Sequence, residues 1–470
     1  MKLHPRILVL LFAAHAWAQP ALAQSPLTLP RTSPFAGGIP AGTATPAPIT
    51  LTIVQAVQRA LDHNLGLLLA EQSTTSATGE RLNALSQLLP NVRGSIAESR
   101  RTTNLEAFGF PLGPGFPRKV GPYNVFDARV FLSQAVFDAE AINNASAAAH
   151  RLAAARHDYK GARSLVMLAS ANAYLQALAS QARATAAAAQ FASSEAIHQQ
   201  ALDLRQGGIV AGIDVIRAET RLASDRQRAT ASANDAQKAK LQLARLIGLP
   251  IGQEFTLVDN IPAVPDVTLT LDQAVEQAYA SRPEYLSAVE QLRAAEAAHR
   301  AATSERLPSV RVTADYGAIG LTPSTSFPTY TLTGAVEVPI FDGGRERARA
   351  VQAEAELKRR TAELEDMKAL VYYDVRTAFL DVEAQRQQMD AASRGQQLAN
   401  QQLQQSRDRF AAGVASNIEV IQAQEAVAEA TEQAISAQYG LSVARALLAQ
   451  SLGDAETALM NAVQQMSPKP

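Results

Sequence analysis

Histidine and cysteine decide whether this chain could carry metal or acid–base chemistry. Five histidines lie beyond the N-terminal segment: His63, His150, His157, His198 and His299. None of them has a metal-ligand spacing such as His-Glu-x-x-His. The 470 residues include no cysteine, which excludes thiolate catalysis, cysteine metal sites and disulfides together. Neither a Gly-x-Ser-x-Gly turn nor a phosphate-binding loop occurs. We therefore expect no catalytic site, no cofactor and no bound metal.

Two short segments, 205–214 and 410–419, combine small residues with one acidic residue each. They contain Gly207, Gly208, Gly212 and Asp214, and then Gly413, Ser416 and Glu419. Small residues let helices approach closely and leave backbone groups available to a partner. An acidic side chain near a helix N-terminus also stabilises the helix dipole by up to about 1 kcal/mol. A purely structural role for the two acidic residues therefore stands beside a binding role.

These two segments belong to a longer internal repeat. Five stretches match in the same order: 51–57 with 269–275, 89–93 with 307–311, 137–138 with 341–342, 208–216 with 413–421, and Gly248 with Gly453. The repeat is far longer than the units of about 20 to 50 residues in solenoids. We predict two copies of one structural unit, 50–248 and 269–453, connected by residues 249–268.

The N-terminus has the pattern of a secretory signal. Basic residues precede an apolar stretch, 7–17, and Ala21-Leu22-Ala23 is an A-x-A cleavage site. We expect a cleaved signal peptide, 1–23, and an extended arm, 24–49; the alternative is a buried N-terminal helix. Without a cysteine the chain is expected not to be lipidated at that residue. Residues 454–470 are expected to form a short tail.

The charge and hydropathy of the chain limit its partners. A net charge of −1 argues against nucleic acid, which requires a basic surface. No apolar run beyond the signal approaches the length of about 20 residues that a membrane-spanning helix needs. If the protein crosses a membrane, it must do so as β-strands.

Each predicted unit begins with the Thr-x-x-Gln pattern of a helix capping box: Thr52 and Gln55 in the first unit, Thr270 and Gln273 in the second. Apolar residues then recur at helical spacing: Val54, Val57, Leu61, Leu65 and Leu68. We expect this helix to end before Pro90 or Pro308, because proline removes a backbone donor and clashes with the preceding turn.

Alternating apolar and polar residues follow both prolines and predict strands. The alternation is clearest from Ser309 to Tyr316 and from Thr329 to Val338. In the first unit it covers Phe126 to Leu132, although Phe131 breaks it, and the strand after Asn91 is weaker. Connections rich in Gly and Pro, about 103–122 and 320–328, are expected to be surface loops.

Long helices are predicted after Phe137-Asp138 and Phe341-Asp342. The stretches 139–206 and 343–411 contain no proline, and a helix of that length extends on the order of 100 Å. Each is interrupted at glycine and continues as a second helix that ends near Gly248 or Gly453. Helices of this length are typical of a coiled-coil or tubular assembly.

Two strands per unit give four per chain, which is too few to close a barrel in lipid. Bacterial barrels have at least eight strands, and lipid tolerates no unpaired strand edge. Several chains must therefore combine their strands, and three would supply twelve. Apolar side chains would then face lipid, and polar ones would line the lumen. The alternative is a periplasmic β-hairpin packed on the helices.

The doubled order helix, strand, loop, strand, long helix, glycine turn, helix resembles the TolC/OprM outer-membrane efflux proteins from about Leu51 to Gly453. The most specific elements are the Leu-Thr-x-x-x-Ala-Val openings, the Leu-Pro-x-Val strand starts, Phe-Asp-Gly-Gly at 341–344, and the two segments near the glycines. The resemblance implies an α+β membrane protein: a homotrimer with a 12-stranded transmembrane β-barrel and a long periplasmic α-helical barrel. The OprM branch usually carries a lipidated cysteine, which this chain lacks.

The resemblance also implies partners and site residues. Segments 205–214 and 410–419 would form the periplasmic tip, contacting a periplasmic adaptor through Gly207, Gly208, Gly212, Gly413 and Ser416. Asp214 and Glu419 would lie at the entrance gate, where three symmetry-related carboxylates would favour cations. Gln422 stands where the family can have a second acidic residue, so the ring would be weaker.

We expect a passive exit duct in the outer membrane for small molecules, energised by an inner-membrane RND or ABC pump. Two other functions remain open: the duct of a type I protein secretion system, and a periplasmic coiled-coil scaffold without a pore.

Overall fold

The computed structural model describes residues 33–109, 117–258, 269–412, 414 and 416–453. The expected signal peptide and C-terminal tail lie outside these ranges, as do the first part of the arm, residues 259–268 of the connection, and Gly413. Within the described residues, no helix is both long enough and apolar enough to cross a membrane.

Among the described residues, the first unit has seven α-helices and β-strands. They are β1 (Ile49–Leu51), α1 (Ile53–His63), α2 (Leu65–Ser86), β2 (Asn91–Asn104), β3 (Lys119–Phe137), α3 (Ala139–Gln206) and α4 (Gly212–Leu246). A short strand, β4 (Phe255–Leu257), follows in the connection and pairs in parallel with β1.

The second unit follows the same order of helices and strands. Its elements are α5 (Leu271–Ser281), α6 (Pro283–Ser304), β5 (Ser309–Gly320), β6 (Ser326–Glu337), α7 (Arg345–Ala411) and α8 (Asn417–Ser451). Corresponding helices have nearly equal lengths: α1 and α5 have 11 residues each, α2 and α6 22, α3 and α7 68 and 67, and α4 and α8 35.

The helix starts predicted from the capping boxes are confirmed. The Thr52 hydroxyl accepts a hydrogen bond from the Gln55 N–H, and the Gln55 side chain accepts one from the Thr52 N–H. Thr270 and Gln273 make the same pair of bonds. Each box satisfies two backbone donors that a helix start would otherwise leave unpaired.

The prediction of one continuous helix from each capping box to the next proline is wrong. The first helix breaks at Asn64, which is extended and buried, and whose side chain caps α2 through the Gly66 N–H at 2.9 Å. The Phe35 ring lies where a Gly66 side chain would be. In the second unit the break falls before Pro283, which begins α6. Proline suits the first turn of a helix, since its missing donor has no partner there.

The four long strands form one antiparallel sheet in the order β2-β3-β5-β6. The register places Phe131 between Arg93 on β2 and Asp315 on β5, and it pairs Tyr316 with Tyr330. Because strand side chains alternate between faces, one face carries mainly apolar residues and the other mainly polar ones. We call the second the polar face; it includes Arg93, Arg129, Ser133, Arg311, Thr313 and Asp315. The predicted alternation is confirmed, and the strands extend further into the predicted loops.

The main hydrophobic core lies midway along the long helices. Tyr174 of α3 is fully buried there, and its hydroxyl donates a 2.8 Å hydrogen bond to the Leu51 carbonyl. Residues 37–41 cross this region in an extended path, with the Gly38 N–H bonded to the Arg245 carbonyl and the Ile39 N–H to the His63 carbonyl. Part of the predicted arm is therefore fastened to the ends of α1 and α4.

A partly buried charged contact joins α3 to α6 nearer the sheet. His150 Nδ1 lies 2.7 Å from Glu290 Oε2, and Arg293 also pairs with Glu290. Burial raises the pKa of Glu290, but the hydrogen bonds from His150 and Arg293 outweigh it, so the pKa lies below its usual value. Burial, together with the charge of Lys160, lowers the pKa of His157.

Candidate functional site

The turn after α3 is closed entirely by backbone hydrogen bonds. The Gly208 N–H bonds to the Arg205 carbonyl at 3.0 Å, and the Ile209 N–H bonds to the Leu204 carbonyl at 2.9 Å. Gly208 has a φ of 71°. These are the two bonds and the left-handed residue of a Schellman motif. A side chain at position 208 would meet open space. Glycine is therefore favoured there by its left-handed backbone conformation and not by a lack of room.

Gly212 and Asp214 lie in the first turn of α4. A methyl group at Gly212 would lie 3.5 Å from the Arg205 Cζ, an ordinary contact distance. The Asp214 carboxylate pairs with Arg217 Nη1 at 3.3 Å, and its side chain is 22% exposed. Asp214 therefore acts both on the helix dipole and on a neighbouring cation.

The turn after α7 contains a backbone hydrogen bond that spans the same number of residues. The Val414 N–H bonds to the Arg409 carbonyl at 3.0 Å, which corresponds to the bond from Ile209 to Leu204. Gly413 lies outside the described residues. Ser416 caps α8 through its backbone, without a side-chain cap bond.

Glu419 has a partner across this second turn. Its Oε1 lies 3.1 Å from Arg409 Nε, and the two side chains are 39% and 57% exposed. In one chain, each acidic residue singled out in the sequence thus has an arginine beside it. Exposed pairs of this kind contribute between about 0 and 1 kcal/mol.

Above the turns, a polar network connects the two helix pairs. Arg221 of α4 donates to Asp225 at 2.9 Å and to Glu425 of α8 at 2.7 Å. The buried Asp225 also accepts from the Ser194 hydroxyl of α3 at 2.5 Å. This network was not predicted from the sequence. The available signal was the i,i+4 spacing of Arg221 and Asp225, which places opposite charges on one helix face.

The polar face of the sheet carries a second charged cluster, at the other end of the molecule from the turns. Arg129 forms ion pairs with Asp127 at 2.6 Å and with Asp315 at 3.0 Å. The Cζ atoms of Arg93 and Arg129 lie 5.1 Å and 5.2 Å from the centroid of the Phe131 ring. Phe131 breaks the sequence alternation because guanidinium groups cover its ring on this face.

Within the described ranges, no group of three or more His, Cys, Asp or Glu side chains is placed to hold a metal ion.

Comparison with known proteins agrees with this architecture. The family described as "Outer membrane efflux protein" matches residues 56–249 and 274–454. The chain is 24% identical over 411 residues to the pyoverdine export outer membrane protein OpmQ of Pseudomonas putida, covering 85% of each chain.

Two solved structures have the same fold. The outer-membrane channel OprN superposes with a TM-score of 0.75 at 20% identity, over 86% of this chain and 90% of that one. The CmeC outer membrane channel of Campylobacter jejuni superposes with a TM-score of 0.73 at 18% identity, over 94% and 98%. The chain therefore belongs to the outer membrane efflux protein family, whose members are transport ducts with a TolC-like fold and not enzymes.

Proposed function

We propose that the protein is the outer-membrane exit duct of a tripartite efflux system, passively exporting small molecules delivered by a periplasmic adaptor and an inner-membrane RND or ABC pump. The observation that carries this proposal is the four-stranded sheet. Its outer strands, β2 and β6, have no strand partner on their outer sides within the described residues. The Pseudomonas putida relative, named for pyoverdine export, supports an export role.

The sheet supports assembly of several chains in the membrane. An unpaired edge costs several kcal/mol per backbone group in lipid, so β2 of one chain must pair with β6 of another. Three chains would form a 12-stranded barrel. Apolar side chains on the outer face are largely exposed in the single chain: Ile96 80%, Leu332 72%, Tyr330 79% and Val336 66%. Lipid would cover them.

The helix α7 supports the same assembly below the sheet. Large apolar side chains on it are exposed in the single chain, including Tyr373, Leu380 and Leu398 at 65% each. Neighbouring copies would bury these residues in a homotrimeric helical barrel. The matching helix lengths of the two units support an internal duplication, which would give this helical barrel a wall of uniform height.

The turns after α3 and α7 would form the periplasmic tip. In this proposal Gly207, Gly208, Gly212, Gly413 and Ser416 contact the adaptor, and Asp214 and Glu419 lie at the entrance. Because Arg217 and Arg409 pair with these carboxylates within one chain, the cation preference of the entrance would be weak.

Two measurements on the detergent-purified protein test this function. We expect size-exclusion chromatography with light scattering to give the mass of three chains, and planar bilayers to show ion conductance. Replacing both Leu380 and Leu398 by Glu should shift the protein to single chains. The matched control replaces Gln397 and Gln404, which are exposed polar residues of the same helix about 100° or more around it from Leu380 and Leu398, by Glu.

The alternatives predict different results. A scaffold without a pore would pass no current, and a soluble single chain without detergent would contradict the whole proposal. A duct for type I protein secretion would conduct, but deleting it would leave resistance to small toxic molecules unchanged.

A further inference from the structure

A cavity of about 440 Å³ lies on the polar face of the sheet, next to the end of α2. Ser86 and Gln87 line it from α2, and Arg93, Ser133, Arg311 and Thr313 line it from three strands. Its walls are thus mainly hydroxyl, amide and guanidinium groups, which are hydrogen-bond partners for an anion.

Arg93 and Arg311, which line this cavity, differ from the nearby Arg129 of the same face. The guanidinium group of Arg129 already forms ion pairs with Asp127 and Asp315. Arg93 lies over the Phe131 ring, and neither Arg93 nor Arg311 has an ion-pair partner within the described residues. Two guanidinium groups without carboxylates leave positive charge to be satisfied by water or by a ligand.

The strand register places these two arginines at opposite ends of the cavity. Arg93 pairs with Phe131 and Arg311 with Ala135, so they stand on strands either side of β3 and four residues apart along it. That corresponds to about 10 Å across the strands and about 13 Å along them. Ser133 and Thr313, which pair with each other, lie between them. The small neighbours of Arg311 in the sheet, Ala135 and Ala335, leave room for its side chain.

Three carboxylates on the same face oppose anion binding, and one of them, Asp127, is paired with Arg129 at 2.6 Å. Asp315 lines the cavity, but its Oδ1 accepts from Arg129 at 3.0 Å. Glu337 lies one strand further on, at the register position of Ser309, and is exposed. The cavity lining itself carries two arginines against one aspartate, a net charge of +1 (2 − 1).

We propose that this cavity binds organic anions with more than one carboxylate, held by Arg93 and Arg311 at its two ends and by the hydroxyls of Ser133 and Thr313. Arginine forms bidentate hydrogen bonds with carboxylates, and two separated arginines match two separated carboxylates. The role of the site in transport rests on the proposed duct function. The cavity would then lie on the lumen wall, where it selects anionic cargo as it passes.

Citrate is the probe for this proposal. We expect citrate to bind the purified wild-type protein in equilibrium dialysis at low ionic strength, and to reduce the conductance of the protein in planar bilayers. The double variant R93Q/R311Q should need about five-fold more citrate for both effects, as expected when two partly exposed ion pairs are lost. The matched control is R100Q, because Arg100 lies on the same strand but on the opposite face, paired with Asn124.

The outcomes separate the site from the duct. Equal citrate binding by wild type, R93Q/R311Q and R100Q, or no binding by wild type, would overturn the site. A wild-type protein that binds citrate but passes no current would overturn the duct and leave the site standing. If the double variant does not assemble, the single variants R93Q and R311Q give the same comparison, with a smaller loss for each.

Discussion

The helices α3 and α7 have nearly the same length but differ greatly in burial. α3 has 22 buried residues, whereas α7 has six among the side chains that the structure describes. α3 packs extensively against α1, α2, α4, α6 and α8, while α7 packs extensively against α5, α6 and α8 and touches α3 through single polar contacts such as Arg407 with Ser193. The two helices occupy matching places in the two units. The difference therefore shows that α3 completes the core of its own chain, and that α7 presents a surface for which one chain has no cover.

The largest expected difference in the free energy of unfolding is between variants of two tyrosines, one on each helix. Replacing Tyr174 of α3 by Ala should lower the free energy of unfolding by about 4–5 kcal/mol, because it opens a cavity and leaves the Leu51 carbonyl without its donor. Replacing Tyr373 of α7, which is 65% exposed, by Ala should change the free energy of unfolding of the isolated chain by less than about 0.5 kcal/mol.

Guanidinium titration in detergent, followed by circular dichroism, measures both values. If the Tyr373 variant loses as much as the Tyr174 variant while the protein is a single chain, the contrast between the two helices is wrong. A loss that appears only in the trimer would identify Tyr373 as an interface residue.

The two acidic partners of Arg221 provide the next comparison. Asp225 is fully buried and Glu425 is 61% exposed. Replacing Asp225 by Ala should cost about 3 kcal/mol, near the lower end for breaking a buried pair, because Arg221 keeps Glu425. Replacing Glu425 by Gln should cost less than about 1 kcal/mol.

The same titration tests this pair of variants. The double variant R221M/D225L should recover most of the loss, because it removes both buried charges. Equal costs for the Asp225 and Glu425 variants would show that burial does not govern this network.

The two turns allow a smaller comparison, which concerns export. Glu419→Lys places a second cation beside Arg409, and Asp214→Lys does the same beside Arg217. Each should cost up to about 1 kcal/mol of stability through the dipole and like-charge contact. If these turns form the entrance, both variants should reduce dye efflux several-fold while leaving the trimer intact. Normal efflux in both would remove the two residues from the entrance.

The smallest expected effect is a pH dependence of the folding stability, caused by one residue on α3 and one on α6. The pKa of His157 lies below its model-peptide value of 6.5, so acidification protonates the unfolded chain before the folded one. Stability should therefore fall by a few tenths of a kcal/mol as the pH drops from about 7 through this value, since the side chain is only partly buried. The lowered pKa of Glu290 contributes stability above about pH 4.5, which is lost at lower pH as the folded protein takes up its proton.

Thermal melts across the pH range separate these two groups. His157→Gln should remove the loss near neutral pH and keep the one in acid, and Glu290→Gln should do the reverse. By contrast, the ion pairs of Glu354 and Glu356 on α7 are largely exposed; the pKa of each carboxyl is also lowered by its basic partners, so removing them should change only the acid part of the profile, and less than Glu290→Gln does.

Local patterns made much of this fold predictable from sequence. The capping box at Thr52 and Gln55 requires only neighbouring residues, and the stretch 139–206 is rich in good helix formers such as Ala and contains no proline, which favours one long helix. The break at Asn64 was missed because it depends on Phe35, which is distant in sequence and packs on Gly66. Likewise, the pairing of Glu419 with Arg409 depends on how the second turn folds, whereas the pairing of Asp214 with Arg217 follows the i,i+3 spacing on one helix and was readable from the sequence.

In the Schellman turn at Gly208, the groups that reverse the chain direction are different from the side chains exposed on the surface of the turn. Backbone bonds and one left-handed glycine make the reversal, while Ile209, 72% exposed, takes no part through its side chain. Ile209 and Ile213 can therefore vary without changing the backbone bonds of the turn. If the turn contacts an adaptor, as proposed, two such ducts would exchange docking specificity by swapping a few surface side chains on an unchanged bend.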